Sequence, residues 1–160
     1  MGKRRAGCDS MGMTVAREAR RRAIRVLVVD DSNLIREALG NFVADLPGVE
    51  VVGRARDGLE ALDLARARAP DVVITDLRMP RVDSFAATRL LKRSARPPAV
   101  VLCTTEDDDE TRRAAADAGA DALLLKRDLG SRVERLIRSL ADPTALALNN
   151  PCHRARSSSG

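Results

Sequence analysis

The sequence has no tryptophan, no tyrosine and only two phenylalanines in 160 residues. Little is therefore available to stack nucleic-acid bases or to line an aromatic cage for a cofactor. The one histidine, His153, lies close to the C-terminus and gives no support to a histidine nucleophile, proton shuttle or phosphocarrier. Cysteines are odd in number and scattered, at Cys8, Cys103 and Cys152, with no CxxC or metal-ligand spacing. That usage fits a reducing cytosol, and so a cytoplasmic protein. Cys103 closes an apolar run and is expected as a small buried hydrophobe. No apolar run approaches the roughly 20 residues of a membrane span. The N-terminus is arginine-rich without the apolar stretch of a secretory signal, so no membrane association is expected. Neither GxGxxG nor GxxxxGK[ST] follows the first apolar run, where AspAspSerAsnLeu stands at 30–34. A nucleotide-binding enzyme is thereby disfavoured.

Apolar residues make up 44% of the chain, mostly Ala, Leu and Val, as in an ordinary globular domain. The net charge of +5 is unevenly placed. Lys3, Arg4, Arg5, Arg17, Arg20, Arg21, Arg22 and Arg25 face only Asp9 and Glu18 within the first 25 residues, while 26–140 is slightly acidic. Residues 1–22 lack apolar periodicity and read as a basic disordered arm, and Met11 or Met13 could mark a later translation start. Residues 143–160 contain Asn149-Asn150-Pro151 and end Ser-Ser-Ser-Gly, the composition of a disordered tail or linker remnant. The segment between, 23–142, is expected to hold one domain of about 115 ordered residues, enough to bury its own core.

Within it the hydrophobic pattern alternates. Short apolar runs at Ile24–Val29, Val49–Gly53, Val72–Thr75, Ala99–Cys103 and Ala122–Leu125 read as strands. Leu34, Ala38, Phe42 and Leu46, with Ile35, Leu39 and Val43 beside them, predict a first helix. Leu59, Leu62, Ala65 and Ala69 mark a second, Phe85–Leu91 a third, Glu110–Ala118 a fourth capped by Gly119, and Val133, Leu136, Ile137 and Leu140 a fifth. Strands separated by helices pair in parallel through βαβ crossovers. Continuous apolar strands imply a sheet covered on both faces. The expected fold is a doubly wound α/β sandwich of five strands and five helices, with its ligand site at the carboxyl ends of the strands.

Asp30 and Asp31 end the first strand, Asp76 the third, Thr104 the fourth and Lys126 the fifth. Clustered carboxylates repel unless they share a cation. A few hard oxygen ligands suit Mg²⁺, which retains waters and accepts phosphate oxygens. One carboxylate can then attack phosphorus to give an aspartyl phosphate. The charge on the transferring group would be neutralised by Mg²⁺, Lys126 and Thr104. Taken singly, each residue has a plainer explanation: Asp31 or Ser32 could cap the first helix, and a lysine after a strand is commonly solvated. The coincidence of all five at the carboxyl ends of four strands points instead to a shared site.

At this point the chain resembles the receiver domain of two-component response regulators. The matching stretches are ValLeuValValAspAsp at 26–31, AspGlyLeuGluAlaLeu at 57–62, AspValValIleThrAspLeuArgMetPro at 71–80 and LeuLeuLeuLys at 123–126. The resemblance covers about residues 24–141 and implies a flavodoxin-like strand order, 2-1-3-4-5. It implies that Asp76 is phosphorylated, by a sensor histidine kinase or a small phosphodonor, and also ligates Mg²⁺. Asp31 would bind the metal directly, Asp30 would help to position it, and the backbone carbonyl of Arg78 would complete the protein's share of the shell. Lys126 would pair with the phosphoryl group and Thr104 would swing inward to bond it. Such a domain is a switch rather than an enzyme, and it acts on an output protein or on an output domain that this chain has lost. A phosphorylation-dependent homodimer is among the states it allows.

Three departures bear on output. Leu123 stands where the family has an aromatic switch residue, Lys126-Arg127 replaces a common Lys-Pro bond, and Ser84 replaces the usual glycine after MetProxxAsp. Lys126 followed by a polar residue, and ThrThrGluAspAspAspGlu at 104–110, are similar to receivers joined to helix-turn-helix domains. Two further readings therefore stand beside the switch: a phosphorylation-independent scaffold, and a receiver fragment of a DNA-binding regulator. Direct nucleic-acid binding by this chain is not expected, because a basic arm without a groove-reading helix gives non-specific contact at best.

Overall fold

The computed structural model describes residues 22–79 and 83–142. Most of the basic arm, the C-terminal tail, Pro80, Cys8, Cys152 and His153 lie outside them. Five strands alternate with five helices: β1 (Ile24–Val29), α1 (Asn33–Ala44), β2 (Val49–Ala55), α2 (Gly58–Arg68), β3 (Val72–Asp76), α3 (Ser84–Lys92), β4 (Ala99–Thr104), α4 (Asp109–Asp117), β5 (Ala122–Leu125) and α5 (Leu129–Ala141). A 3₁₀ turn, Lys126–Asp128, joins β5 to α5. All strand pairings are parallel and the order is β2-β1-β3-β4-β5, the flavodoxin-like order.

Side chains alternate across a strand, so each apolar strand feeds two cores. Val26, Val28, Val72, Ile74, Val101 and Cys103 point to one face and meet Val43 of α1 and Val133, Ile137 and Leu140 of α5. Leu27, Val29, Val73, Val100 and Leu102 point to the other and meet Ala61, Leu62, Leu91 and Ala115 of α2, α3 and α4. Burying each such Val, Leu or Ile contributes about 1.5–3 kcal/mol before the chain's entropy is set against it.

Polar residues set the ends. Ser32, Asp57, Asp83 and Asp108 accept backbone N–H groups at the N-termini of α1, α2, α3 and α4. Ser32, and not Asp31, is the cap of α1. Gly119, at φ +87°, lets Ala120 N–H reach the Ala115 carbonyl at 3.0 Å and closes α4. Asp71 and Asp121, just before β3 and β5, accept the main-chain N–H groups of Arg25 and Val100 and lock the strand starts in register.

Two helices present other faces than the sequence pattern predicts. On α1, Leu34, Ile35, Ala38 and Phe42 are exposed, and the chain packs through Leu39, Gly40 and Val43. Gly40 is buried because the Arg54 guanidinium lies over it, where a Cβ would come within 2.5 Å of Nε. Arg54 reaches across from β2 to pair with Glu37 and to donate to Asn41 at 2.8 Å. On α2, Leu59 is exposed while Ala61 and Leu62 are buried.

Candidate functional site

The connections leave the sheet in opposite directions on either side of the β1–β3 pair. This opens a crevice at the carboxyl ends of those strands, the place where doubly wound folds bind ligands. The structure brings all five predicted side-chain positions to this edge. Asp30 and Asp76 are buried and Asp31 is exposed. One carboxylate oxygen from each lies within 4.8 Å of the others. Lys126 Nζ sits 3.1 Å from Asp76 Oδ1 and 3.4 Å from Asp30 Oδ2.

Asp76 is the last residue of β3 and is still paired with Cys103 in the ladder. Its position is fixed on three sides. Leu77 N–H donates to the Cys103 carbonyl at 2.8 Å. Arg78 N–H approaches Asp76 Oδ1 at 3.3 Å, and the Ser84 hydroxyl donates to the Asp76 carbonyl at 2.9 Å. Asp30 is held by Ser32 N–H at 2.9 Å, and its own carbonyl accepts the Arg36 guanidinium at 2.8 Å. Thr104 is buried at the end of β4, with its hydroxyl accepting Glu106 N–H at 3.1 Å. The Arg78 side chain turns outward and pairs with Glu106, bridging the loops after β3 and β4.

Burial raises the pKa of the Asp30 carboxyl, against the opposing pull of the Ser32 N–H and the Lys126 charge. Burial also draws Lys126 down, but its hydrogen bond and charge contact with Asp76, and then with Asp30, outweigh this and leave its pKa raised. The lysine is an ammonium held between two carboxylates. Cys103, behind Asp76, is pushed up to about 12 by burial and by the Asp76 charge, so it remains a thiol and part of the core. The donor set fits a hard divalent cation: it is all oxygen, from carboxylates on two adjacent strand ends, one of them open to water.

Sequence reasoning missed three side-chain contacts around this edge. Ser84 stood out only as a departure, yet it ties α3 to the main chain of Asp76. Arg36 lies one turn into α1 and steadies Asp30 from outside. The Arg78 side chain and Glu106 meet across the loops, a contact between segments 28 residues apart that no local pattern reveals.

An all-parallel sheet of this order with an acidic crevice at its switch point is the architecture of CheY-like signalling domains. The response regulator receiver domain model matches residues 26–138, and the chain belongs to that family. Among curated relatives, the response regulator GacA of Pseudomonas viridiflava is 49% identical over 71 residues, 44% of this chain and 33% of that protein. Protein-glutamate methylesterase/protein-glutamine glutaminase 5 of Anaeromyxobacter dehalogenans is 41% identical over 112 residues, 69% of this chain and 31% of that protein. The match thus spans about a third of each relative's length. The response regulator domain of Thermotoga maritima CheB superposes with a TM-score of 0.70 at 32% identity, covering 76% of this chain and all of that one. The receiver domain of NarL from Mycobacterium tuberculosis gives 0.65 at 32% identity, with 72% and 97% covered. No helix among the described residues is long and apolar enough to cross a membrane.

Proposed function

We propose that the chain is a phosphorylation switch whose acceptor is Asp76. The observation that carries this reading is the contact of Lys126 with both Asp76 and Asp30, inside a cluster of three carboxylates at the switch point. An oxygen of Asp76 attacks phosphorus as the bond to the donor breaks. The leaving electron pair departs with the imidazole of a kinase's phosphohistidine, or with the carboxylate of a small acyl phosphate. The new O–P bond makes an aspartyl phosphate.

Asp30, Asp31 and Asp76, with the Arg78 backbone carbonyl, are the groups that would hold Mg²⁺. When bound, the cation supplies positive charge against the equatorial phosphoryl oxygens. Lys126 already points at the acceptor carboxylate and neutralises the same charge from the protein side. Thr104 exchanges its contact with the Glu106 N–H for one with the phosphoryl group, and this rearranges the β4–α4 loop. The α4–β5–α5 surface carries the change to an output protein or to a further domain of a longer protein, and a phosphorylation-dependent homodimer would use the same surface. A sensor histidine kinase is the proposed donor and the cytoplasm the proposed compartment. The folded unit of this switch is taken as 23–142, flanked by the basic arm 1–22 and the tail 143–160.

Acetyl phosphate with Mg²⁺ should add one phosphoryl group to the intact mass of the wild type and none to Asp76→Asn. Equal gain in both would overturn the assignment of the acceptor.

A further inference from the structure

At the pole opposite the acidic crevice, α2, α3 and the segments before β3 and β4 line a cleft of about 500 Å³. Its floor is apolar: Leu62, Ala65, Pro70, Leu91 and Pro98, with Leu90 half-exposed at the rim. Three exposed arginines surround it: Arg66 from α2, and Arg93 and Arg96 from the turn after α3. Elsewhere on the described surface several arginines are paired, as with Arg54 and Glu37, Arg78 and Glu106, or Arg138 and Glu134, while others, such as Arg113 and Arg135, are not. Among the described residues none of the three cleft arginines forms an ion pair with a carboxylate. Favourable interaction with helix C-termini accounts for Arg66, in the last turn of α2, and for Arg93, the C-cap of α3. It does not account for Arg96. Nor does it explain an apolar trough left open between them. Arg22, which ends the basic N-terminal sequence, is also anchored beside this pole, on Asp71 next to Pro70.

We propose that this cleft is a docking site for an acidic, leucine-bearing helical segment of a partner protein. Apolar side chains of the segment would fill the trough, and its carboxylates would pair with Arg66, Arg93 and Arg96. The arrangement is that of an amphipathic helix laid in a groove. The charge pattern supplies the selectivity, since a basic helix would meet three like charges and be repelled. The cleft is built without any residue of the phosphorylation site, so the proposal stands independently of that reading.

The probe is a fluorescein-labelled synthetic amphipathic helix with leucines along one face and glutamates on the other. It is titrated against the full chain and followed by anisotropy and by amide NMR shifts. Saturable binding is expected, with shifts at Leu62, Ala65 and Leu90. The combined Arg66→Glu and Arg96→Glu variant should weaken it by roughly tenfold or more. Leu90→Ser should weaken it separately, and replacing the peptide's leucines by serine should do the same. Asp76→Asn should bind as the wild type does. Arg66, Leu90 and Arg96 are exposed, and an unchanged thermal melt checks that each variant is folded. Absence of binding overturns the proposal. So does binding that survives loss of the leucines, or a DNA duplex that competes equally, because either result reduces the cleft to a generic attractor of polyanions.

Discussion

The hydroxyl of Ser84 donates to the main-chain carbonyl of Asp76 at 2.9 Å, and both residues are buried. The carbonyl of Ser84 in turn accepts the Thr88 hydroxyl at 2.7 Å, so the end of β3 and the first turn of α3 form one hydrogen-bonded unit. Ser84→Ala removes this donor, and among the described residues the remaining side-chain donor to the Asp76 carbonyl is the Thr75 hydroxyl, at the longer distance of 3.3 Å. Loss of about 1 kcal/mol of unfolding free energy is expected by urea titration, the usual worth of one such bond. An unchanged midpoint would mean that the bond contributes nothing to stability.

The order of elements and the crevice were legible in the sequence because each rests on a local signal. Apolar runs ending in Asp30, Asp76, Thr104 and Lys126 give the strands and their active ends together. The ladders run slightly further than the apolar runs. Asp76 pairs with Cys103 and Thr104 with Leu125, because backbone hydrogen bonding continues where hydrophobicity stops. The packed face of α1 was not legible. Its most apolar stripe, through Leu34 and Phe42, faces outward, while the face that packs is set by Arg54 lying over Gly40. An arginine on β2 selecting a glycine on α1 is a tertiary fact with no periodicity. The same holds for Arg78 with Glu106, and for Arg36 with the Asp30 carbonyl.

Asp30 is the residue at which the site works against stability. Its carboxyl titrates above the usual range because burial penalises the charge. The folded state therefore holds this proton more tightly than the unfolded chain does. Stability from the group falls as pH rises from the ordinary carboxylate value through the raised one. In EDTA at neutral pH, Asp30→Asn should melt a few degrees higher than wild type, and the gap should close as pH is lowered. Added Mg²⁺ should raise the wild-type Tm by more than the variant's. A variant that melts lower in EDTA would contradict this.

Thr104 should report phosphorylation through Glu106. Its hydroxyl accepts the Glu106 N–H at 3.1 Å, and turning it towards a phosphoryl group breaks that bond. Leu123 packs against the α2–α4 core in place of an aromatic switch, so the transition is expected to be modest, on the order of 1–2 kcal/mol of coupling. Hydrogen exchange with a beryllofluoride mimic should show reduced protection at the Glu106 amide and altered protection across 104–130, both lost in Thr104→Val. Changes confined to Asp30, Asp31 and Asp76 would mean that phosphate binds without being transmitted, and would favour the scaffold reading.

The α4 cap gives a separate acid response. Asp108 accepts Thr111 N–H at 2.8 Å and the Thr111 hydroxyl at 2.7 Å, and these bonds hold its pKa below the ordinary value. A lowered folded pKa contributes stability that is present above the unfolded value, about 3.8, and is lost as pH falls through the folded one. Exchange at the Thr111 amide should therefore accelerate at acid pH, beyond the intrinsic pH dependence of exchange. In Asp108→Asn, which keeps a capping acceptor but cannot titrate, the extra acceleration should vanish. Identical profiles would refute the cap's role.

One carboxylate among the three at the switch point is expected to become covalently phosphorylated. Treatment with acetyl phosphate and Mg²⁺, then borohydride, converts an aspartyl phosphate to homoserine, which survives digestion and can be located by fragmentation. The tryptic peptide 69–78 holds both Asp71, which the structure ties to Arg22 and Arg25, and Asp76, which it places against Lys126. Homoserine is predicted at 76 alone. Homoserine at 71, at 30 or at 31, or none at any position, would contradict the account.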